Sequence, residues 1–260
     1  MIKTAMHPSG MMIEFNEQNH TYVLCGPEAG YMAGKQLQSV TTFIGSYFPK
    51  FDTEKMAVKC AGKKPKYTGM TAEDIKESWA DESLRGQTEG TNTHAYAECL
   101  LNGWFDRLPV PHSERETLLF KQVAKAVLSL EERFQFVSSE EIIFSPKLGI
   151  AGTMDLLMLN GESGDLIILD WKQNKEISMS NRWENGYPPV DHVQASDYAK
   201  YSLQLNLYEK ILREEKYYQS LGYRGVRKAL IHLRPDDYSV IKVGDECQAD
   251  LDAMLNFIPF

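Results

Sequence analysis

The chain has 260 residues, with 28 Lys and Arg against 36 Asp and Glu and a formal net charge of −8. That length can bury a sizeable core, and with no repeat, low-complexity tract or interdomain linker it reads as one elaborated domain over 1–260. The acidic balance excludes a general nucleic-acid coat, whose affinity comes from phosphate neutralisation, but not a local basic track around an acidic site.

No apolar run reaches spanning length and no secretory leader is evident, so a soluble, intracellular protein without membrane association is expected. Cys25, Cys60, Cys99 and Cys247 are scattered with no close pair. That spacing disfavours a zinc knuckle or a local iron–sulfur motif and reads as reduced, structural thiols.

In chain order, "MMIEFNEQNHTYVLCG" predicts an N-terminal hairpin within 10–25, its two strands joined by the polar turn Glu17-Gln18-Asn19-His20. Ser39 is placed to cap a short helix through Thr41, Phe43, Ile44 and Tyr47 that Pro49 ends. Lysines then stand at 50, 55, 59, 63, 64 and 66 against Asp52 and Glu54. This stretch reads either as a solvated connection or as a flexible lysine-rich flap over 50–70 that meets phosphate groups.

The segment from Thr71 to Phe105 reads as a helix in two pieces, interrupted near Gly86 and Gly90. His94 and Glu98, four apart, share one face of the second piece. A further helix is expected over Ser113 to Phe134, with Leu118, Val123, Val127 and Leu130 on its apolar side.

Sheet signals follow in "SEEIIFSP", "GTMDLLML" and "GDLIILDWK", the last two joined by the turn Asn160-Gly161-Glu162-Ser163-Gly164. A short turn makes that pair antiparallel, which brings Asp155 near the start of one strand to the same rim as Asp170 and Lys172 at the end of the other. Charges there are costly to bury for stability alone, which points to something bound between them. Beyond an irregular loop, a helix is expected from Ser196 to Tyr217, with Tyr201, Gln204 and Tyr208 along one side. "RKALIHLRP" and "YSVIKV" read as a strand and a short edge strand, and "ADLDAMLNFI" as a terminal helix. The order implies an α/β fold, a mixed sheet with helices packed against it.

The charged residues suggest a hard divalent cation, Mg2+ or Mn2+, which takes one or two carboxylates plus phosphate and water. Asp155 and Asp170 are of the right type, and the main-chain carbonyl of Gln173 or Trp171 could complete the shell. Lys172 shares strand parity with Asp170, so its ammonium can oppose charge on a phosphate under attack. His94 and Glu98 can reach the same centre, and an imidazole suits Mn2+ better than Mg2+. Taken singly, His94 reads as well as an ordinary helical residue and Asp155 as a solvent-facing strand end. Together the residues point to metal-dependent hydrolysis of phosphodiesters.

With these motifs in place, the sequence resembles the RecB-like branch of the PD-(D/E)XK nuclease superfamily. The resemblance rests on Gly90 with His94 and Glu98, Gly152-Thr153-Met154-Asp155, Asp170-Trp171-Lys172, and Gln204-Leu205-Asn206-Leu207-Tyr208, which is similar to the family's Q-x-x-x-Y helix. Ser39-Val40-Thr41-Thr42 upstream of Trp79 further resembles mitochondrial genome-maintenance exonucleases and their phage-encoded relatives. The likeness spans roughly 39–233. It implies a restriction-endonuclease-like mixed central sheet flanked by helices, with the N-terminal β-hairpin and helical insertions added.

The resemblance also implies that His94, Asp155 and Asp170 help bind metal and that Lys172 is catalytic. Glu98 is then supporting, and Gln204 and Tyr208 orient the site or a strand. DNA, single-stranded or with free ends, is the implied substrate of an exonuclease acting in recombination or repair. Lys175, Arg182, Trp183 and Tyr187 after the catalytic strand, and Lys63, Lys64 and Lys66 in the flap, are the candidate DNA contacts, although Trp183 and Tyr187 read as well as aromatics that pack the loop.

The proline of the superfamily name has no equivalent just before Asp155. The carboxy-terminal cysteines of cluster-bearing relatives are missing, so no Fe–S cluster is expected. No Walker-type loop is present, so no nucleotide cofactor is expected. A helicase, recombinase or single-strand-binding protein would be a separate partner, and a phage-encoded chain would act in its host's cytoplasm. The other reading is a weakly active or non-catalytic DNA-binding or assembly subunit that retains the fold.

Overall fold

The computed structural model describes residues 2–257. Among them the chain opens with four short strands: β1 (Ile2–Met6), β2 (Met12–Asn16), β3 (Thr21–Cys25) and β4 (Gln36–Ser39). The expected hairpin is present as β2 and β3, with its turn at 17–20. In both strands alternate residues are buried, which sends Ile13, Phe15, Tyr22 and Leu24 into one small core. The strands β1 and β4 extend the hairpin on either side.

Ser39 ends β4 and caps α1 (Val40–Gly45), accepting a hydrogen bond from the Thr42 amide. The lysine-rich stretch holds α2 (Thr53–Cys60), capped by Asp52. Ala57, Cys60, Tyr67 and Ile75 form a separate small core there, and Trp79 donates to Tyr67 Oη at 2.8 Å. The segment that follows is one continuous helix, α3 (Ala72–Leu101), started by a capping box of Thr71 and Asp74. This corrects the expectation of two pieces. Both glycines stay helical, and Gly90 is where a neighbour needs room: a Cβ there would lie 2.9 Å from Gln173 Nε2.

The helix α4 (Glu114–Glu131) begins at Ser113 as expected, but its apolar side is set by Leu119, Phe120, Val123, Ala126, Val127 and Leu130. Leu119, not Leu118, is fully buried, a one-residue rotation fixed by packing against the sheet. Next come β5 (Gln135–Ser145), β6 (Ile150–Leu159) and β7 (Asp165–Lys172), then α5 (Asp197–Glu214), β8 (Gly225–Leu233), β9 (Tyr238–Val243) and α6 (Gln248–Asn256). Ile258, included in the expected terminal helix, lies outside the described residues.

These strands form a mixed sheet in the order β1-β2-β3-β4-β6-β7-β8-β9, with β5 on the other edge of β6. The α3–α4 pair covers one face over Leu156, Met158, Ile167, Leu169 and Ile231. The other face carries Leu157, Leu166, Ile168 and Leu230 and is covered by α5 with α1 and α6 behind it. Each buried Leu or Ile contributes about 1.5–3 kcal/mol, so these two clusters hold the sheet rigid beneath the site. The result is an α/β fold with a multi-stranded central sheet flanked by helices and an amino-terminal hairpin.

Candidate metal centre

The edge of β6 that faces β4 and β7 is shared between them. The parallel strand β4 pairs with it only at Ile150 and Ala151, because Ser39 then turns the chain into α1. The antiparallel strand β7 pairs with it from Leu156 onward. Residues Gly152 to Asp155 therefore lie in a gap between two partners, and the backbone there opens onto a cleft of about 530 Å³. In place of the next ladder bond, Asp155 Oδ2 accepts a hydrogen bond from the Trp171 amide at 2.8 Å.

Continuing the registers of β5–β6 and β6–β7 sets Glu140 and Asp170 opposite Asp155 on its two sides. Three carboxylates thus stand in a row across three strands. His94 on α3 meets them from above: its Nδ1 is 3.2 Å from Glu140 Oε1 and 3.7 Å from Asp155 Oδ2. His94, Glu140 and Asp155 offer ligand atoms all within 4.8 Å of one another. Asp170 is turned aside from that trio. Its Oδ1 accepts from Gln204 Nε2 at 3.0 Å, and its Oδ2 meets the Lys172 ammonium as an ion pair without a well-directed hydrogen bond.

The electrostatics follow from burial. Loss of solvation, reinforced by the charge of Asp155, pushes the Asp170 carboxyl up to about 6. Desolvation, with Glu140 adding to it, also raises Asp155. For His94, desolvation opposes protonation, but the charge of Asp155 and the bond to Glu140 override it and raise the imidazole to about 9. Burial likewise disfavours the charge on Lys172, yet Asp170 and Asp155 more than offset it and keep the ammonium protonated. In the metal-free protein the His94 imidazolium supplies the positive charge that its two carboxylates demand.

One imidazole nitrogen and two carboxylate oxygens on rigid elements are a donor set that can hold a divalent metal ion. The trio fits that role, since an ion in place of the imidazolium proton would satisfy the same carboxylates. His94, Asp155, Asp170 and Lys172, named from the sequence, all line the cleft with Glu98, Gln204 and Tyr208. Glu140 was not anticipated. Its sign in the sequence is the acidic pair Glu140-Glu141 in a strand next to that of Asp155, and its left-handed backbone (φ 48°) breaks the regular alternation there.

Gln204 and Tyr208 stand one turn apart on α5, and Gln204 Nε2 donates to both Asp170 and the Tyr208 hydroxyl. Tyr208 packs closely against β6 because position 152 is glycine: a Cβ there would be 2.7 Å from the tyrosine ring and 3.0 Å from Val40. Tyr201 puts its ring 4.5 Å beneath the Lys172 ammonium and is itself held by Asn174. The side chain of Gln173 reaches away to α3, accepting from Thr93 Oγ1 and donating to the Gly86 carbonyl. Lys175, Arg182, Trp183, Tyr187, Lys63, Lys64 and Lys66 are all exposed, and none lines the cleft.

In comparisons with known proteins, the chain matches no family model and no curated protein.

Proposed function

We propose that the protein is a divalent-metal-dependent nuclease, with Mg2+ or Mn2+ held by His94, Glu140 and Asp155, that hydrolyses phosphodiesters of DNA strands entering the cleft. The observation that carries this reading is the gap in the β6 edge. It places three carboxylates, a histidine and a charged lysine around one opening, the composition that hydrolysis of an anionic diester needs. The mixed sheet, with Asp155 and the Asp170-Trp171-Lys172 end of β7 beside it, accords with a restriction-endonuclease-like domain of the RecB-like branch.

A bound divalent cation supplies Lewis-acid stabilisation of phosphate charge and makes water more acidic. Lys172, kept as an ammonium, donates and does not accept. It therefore serves to grip a phosphoryl or water oxygen and to oppose charge that develops in the transition state. Asp170 fixes Lys172, and Gln204 fixes Asp170, so the helix α5 sets the direction of the ammonium. The Tyr201 ring also packs against it. The exposed Trp183 and Tyr187 and the basic side chains of Lys175 and Arg182 suit stacking and phosphate contact along a strand outside the cleft.

The deciding experiment uses short single- and double-stranded DNA labelled at either end, with Mg2+, Mn2+ or EDTA. Release of mononucleotides or short products that EDTA abolishes, with an exonuclease ladder from one end, is the expected result. Retained DNA binding by monodisperse protein without cleavage in either metal would instead assign it to the assembly role.

A further inference from the structure

A second concave surface lies on the α4 face of the sheet. Its cavity of about 610 Å³ runs between the last turns of α4 and the terminal strand β9. Ile167 and Leu169 of β7 with Ala229 and Ile231 of β8 make its floor, and Leu130 forms one wall. Tyr238 and Val240 form the opposite lip, and Val240 is 53% exposed although it faces this apolar floor. The α4 helix stops short of β9, so the apolar face of the sheet continues past its cover.

The rim is basic. Arg133, Arg227 and Lys242 surround the opening. Among the described residues Arg133 and Lys242 have no acidic partner, while Arg227 pairs with Asp165 at 2.7 Å. Asp245, the acidic residue at the opening, is bound to the buried ammonium of Lys228. A basic rim of this kind on a chain of net charge −8 is a local reversal of sign and favours an anionic occupant.

The lip is also the open edge of the sheet, since among the described residues β9 pairs with β8 alone. Tyr198 Oη donates to the carbonyl of Lys242, and Asn206 Nδ2 donates to that of Gly244. Those carbonyls therefore point away from β8, and the two-residue period of a strand points the backbone of Val240 and Tyr238 outward as well. Side chains of α5 cap the outward groups at 242 and 244, and the described hydrogen bonds place no partner on those at 240 and 238.

We propose that this edge is a docking site for an extended acidic segment of a partner protein. The segment adds to β9 along Tyr238–Val240, so that every second side chain lies on the α4 face: an apolar one packs beside Val240 at the mouth of the cavity, and carboxylates on either side of it meet Arg133 and Lys242. The site is distant from the cleft in the fold: its floor comes from the α4 face of β7, whereas Asp170 projects toward α5. It is independent of the nuclease reading.

The test is fluorescence anisotropy of the intact protein with a labelled short peptide that carries Glu and Val in turn at every second position with Ser between them, so that both share one face of the strand, and with its Lys-for-Glu counterpart. The acidic peptide should bind and the basic one should not. Val240→Pro, which removes an outward amide without breaking a bond to β8, and the charge reversal Arg133→Glu with Lys242→Glu should each weaken binding about tenfold, with the melting curve showing that each variant is folded. Should Val240→Pro unfold the chain, the charge reversal alone decides. Equal binding of both peptides, binding of neither, or acidic-peptide affinity untouched by charge reversal would overturn the proposal. A dimer in sedimentation that Val240→Pro dissolves would assign the edge to a second copy and overturn it equally.

Discussion

At the scale of single residues, the site is governed by desolvated charge. His94 ordinarily titrates at 6.5 and is raised to about 9 between Asp155 and Glu140. Its folded value lies above its unfolded one, so in the metal-free protein its pairing contributes stability that is complete below 6.5 and is lost as pH rises through about 9. A metal ion has to displace that proton. Binding of Mn2+ near neutral pH is therefore expected to release a proton and to tighten as pH rises toward 9. Calorimetry in buffers of different ionisation enthalpy reads this directly, and binding without proton release would remove His94 from the ligand set. Lys172→Met should leave Mn2+ affinity near that of the parent chain while lowering kcat by about 10²–10³. A matching loss of metal affinity would mean that the ammonium organises the carboxylates and does not act on the phosphate.

At the scale of elements, three glycines show how one residue type serves different ends. Gly86 lies inside α3 with open space around its Cβ direction. Gly86→Ala should raise stability by about 1 kcal/mol through helix propensity alone, seen as a higher Tm. Gly90 gives room to the far end of the Gln173 side chain, a flexible neighbour that can yield. Gly152 gives room to the Tyr208 ring and to Val40, both held in the packed interface of α1, α5 and β6. Gly152→Ala should cost about 1–3 kcal/mol by overpacking and should also reduce cleavage, because Tyr208 shares a hydrogen bond with Gln204 beside Asp170. A stable, fully active Gly152→Ala protein would show that the α5 side of the cleft is soft. The helical character of α3 was legible in the sequence, but its continuity was not: the glycines argued for a break, whereas in the fold α3 packs against the α2 arm and takes hydrogen bonds from and to Gln173 without interruption.

At the scale of the whole molecule, the acidic chain carries its positive charge in patches. The α2 arm and the loop after β7 expose Lys63, Lys64, Lys66, Lys175 and Arg182. If the arm contacts DNA, replacing Lys63, Lys64 and Lys66 by Ala should lower the slope of log affinity against log salt by about 1 for each phosphate that is no longer neutralised. An unchanged slope, measured on single-stranded DNA, would leave the arm to solvent. The sequence by itself determined the hairpin, the cap at Ser39, the helix that starts at Ser113, the antiparallel pair of β6 and β7, and the meeting of Asp155 with Asp170 and Lys172. Each of these follows from short-range rules: side-chain alternation, capping chemistry and a five-residue turn. Only the tertiary structure decided that β4 lies parallel to the start of β6, that the resulting gap opens the cleft, and that Glu140 and not Asp170 joins His94 and Asp155. Those outcomes depend on which distant strands become neighbours, a choice made by the burial of whole faces, and local sequence periodicity carries no record of it.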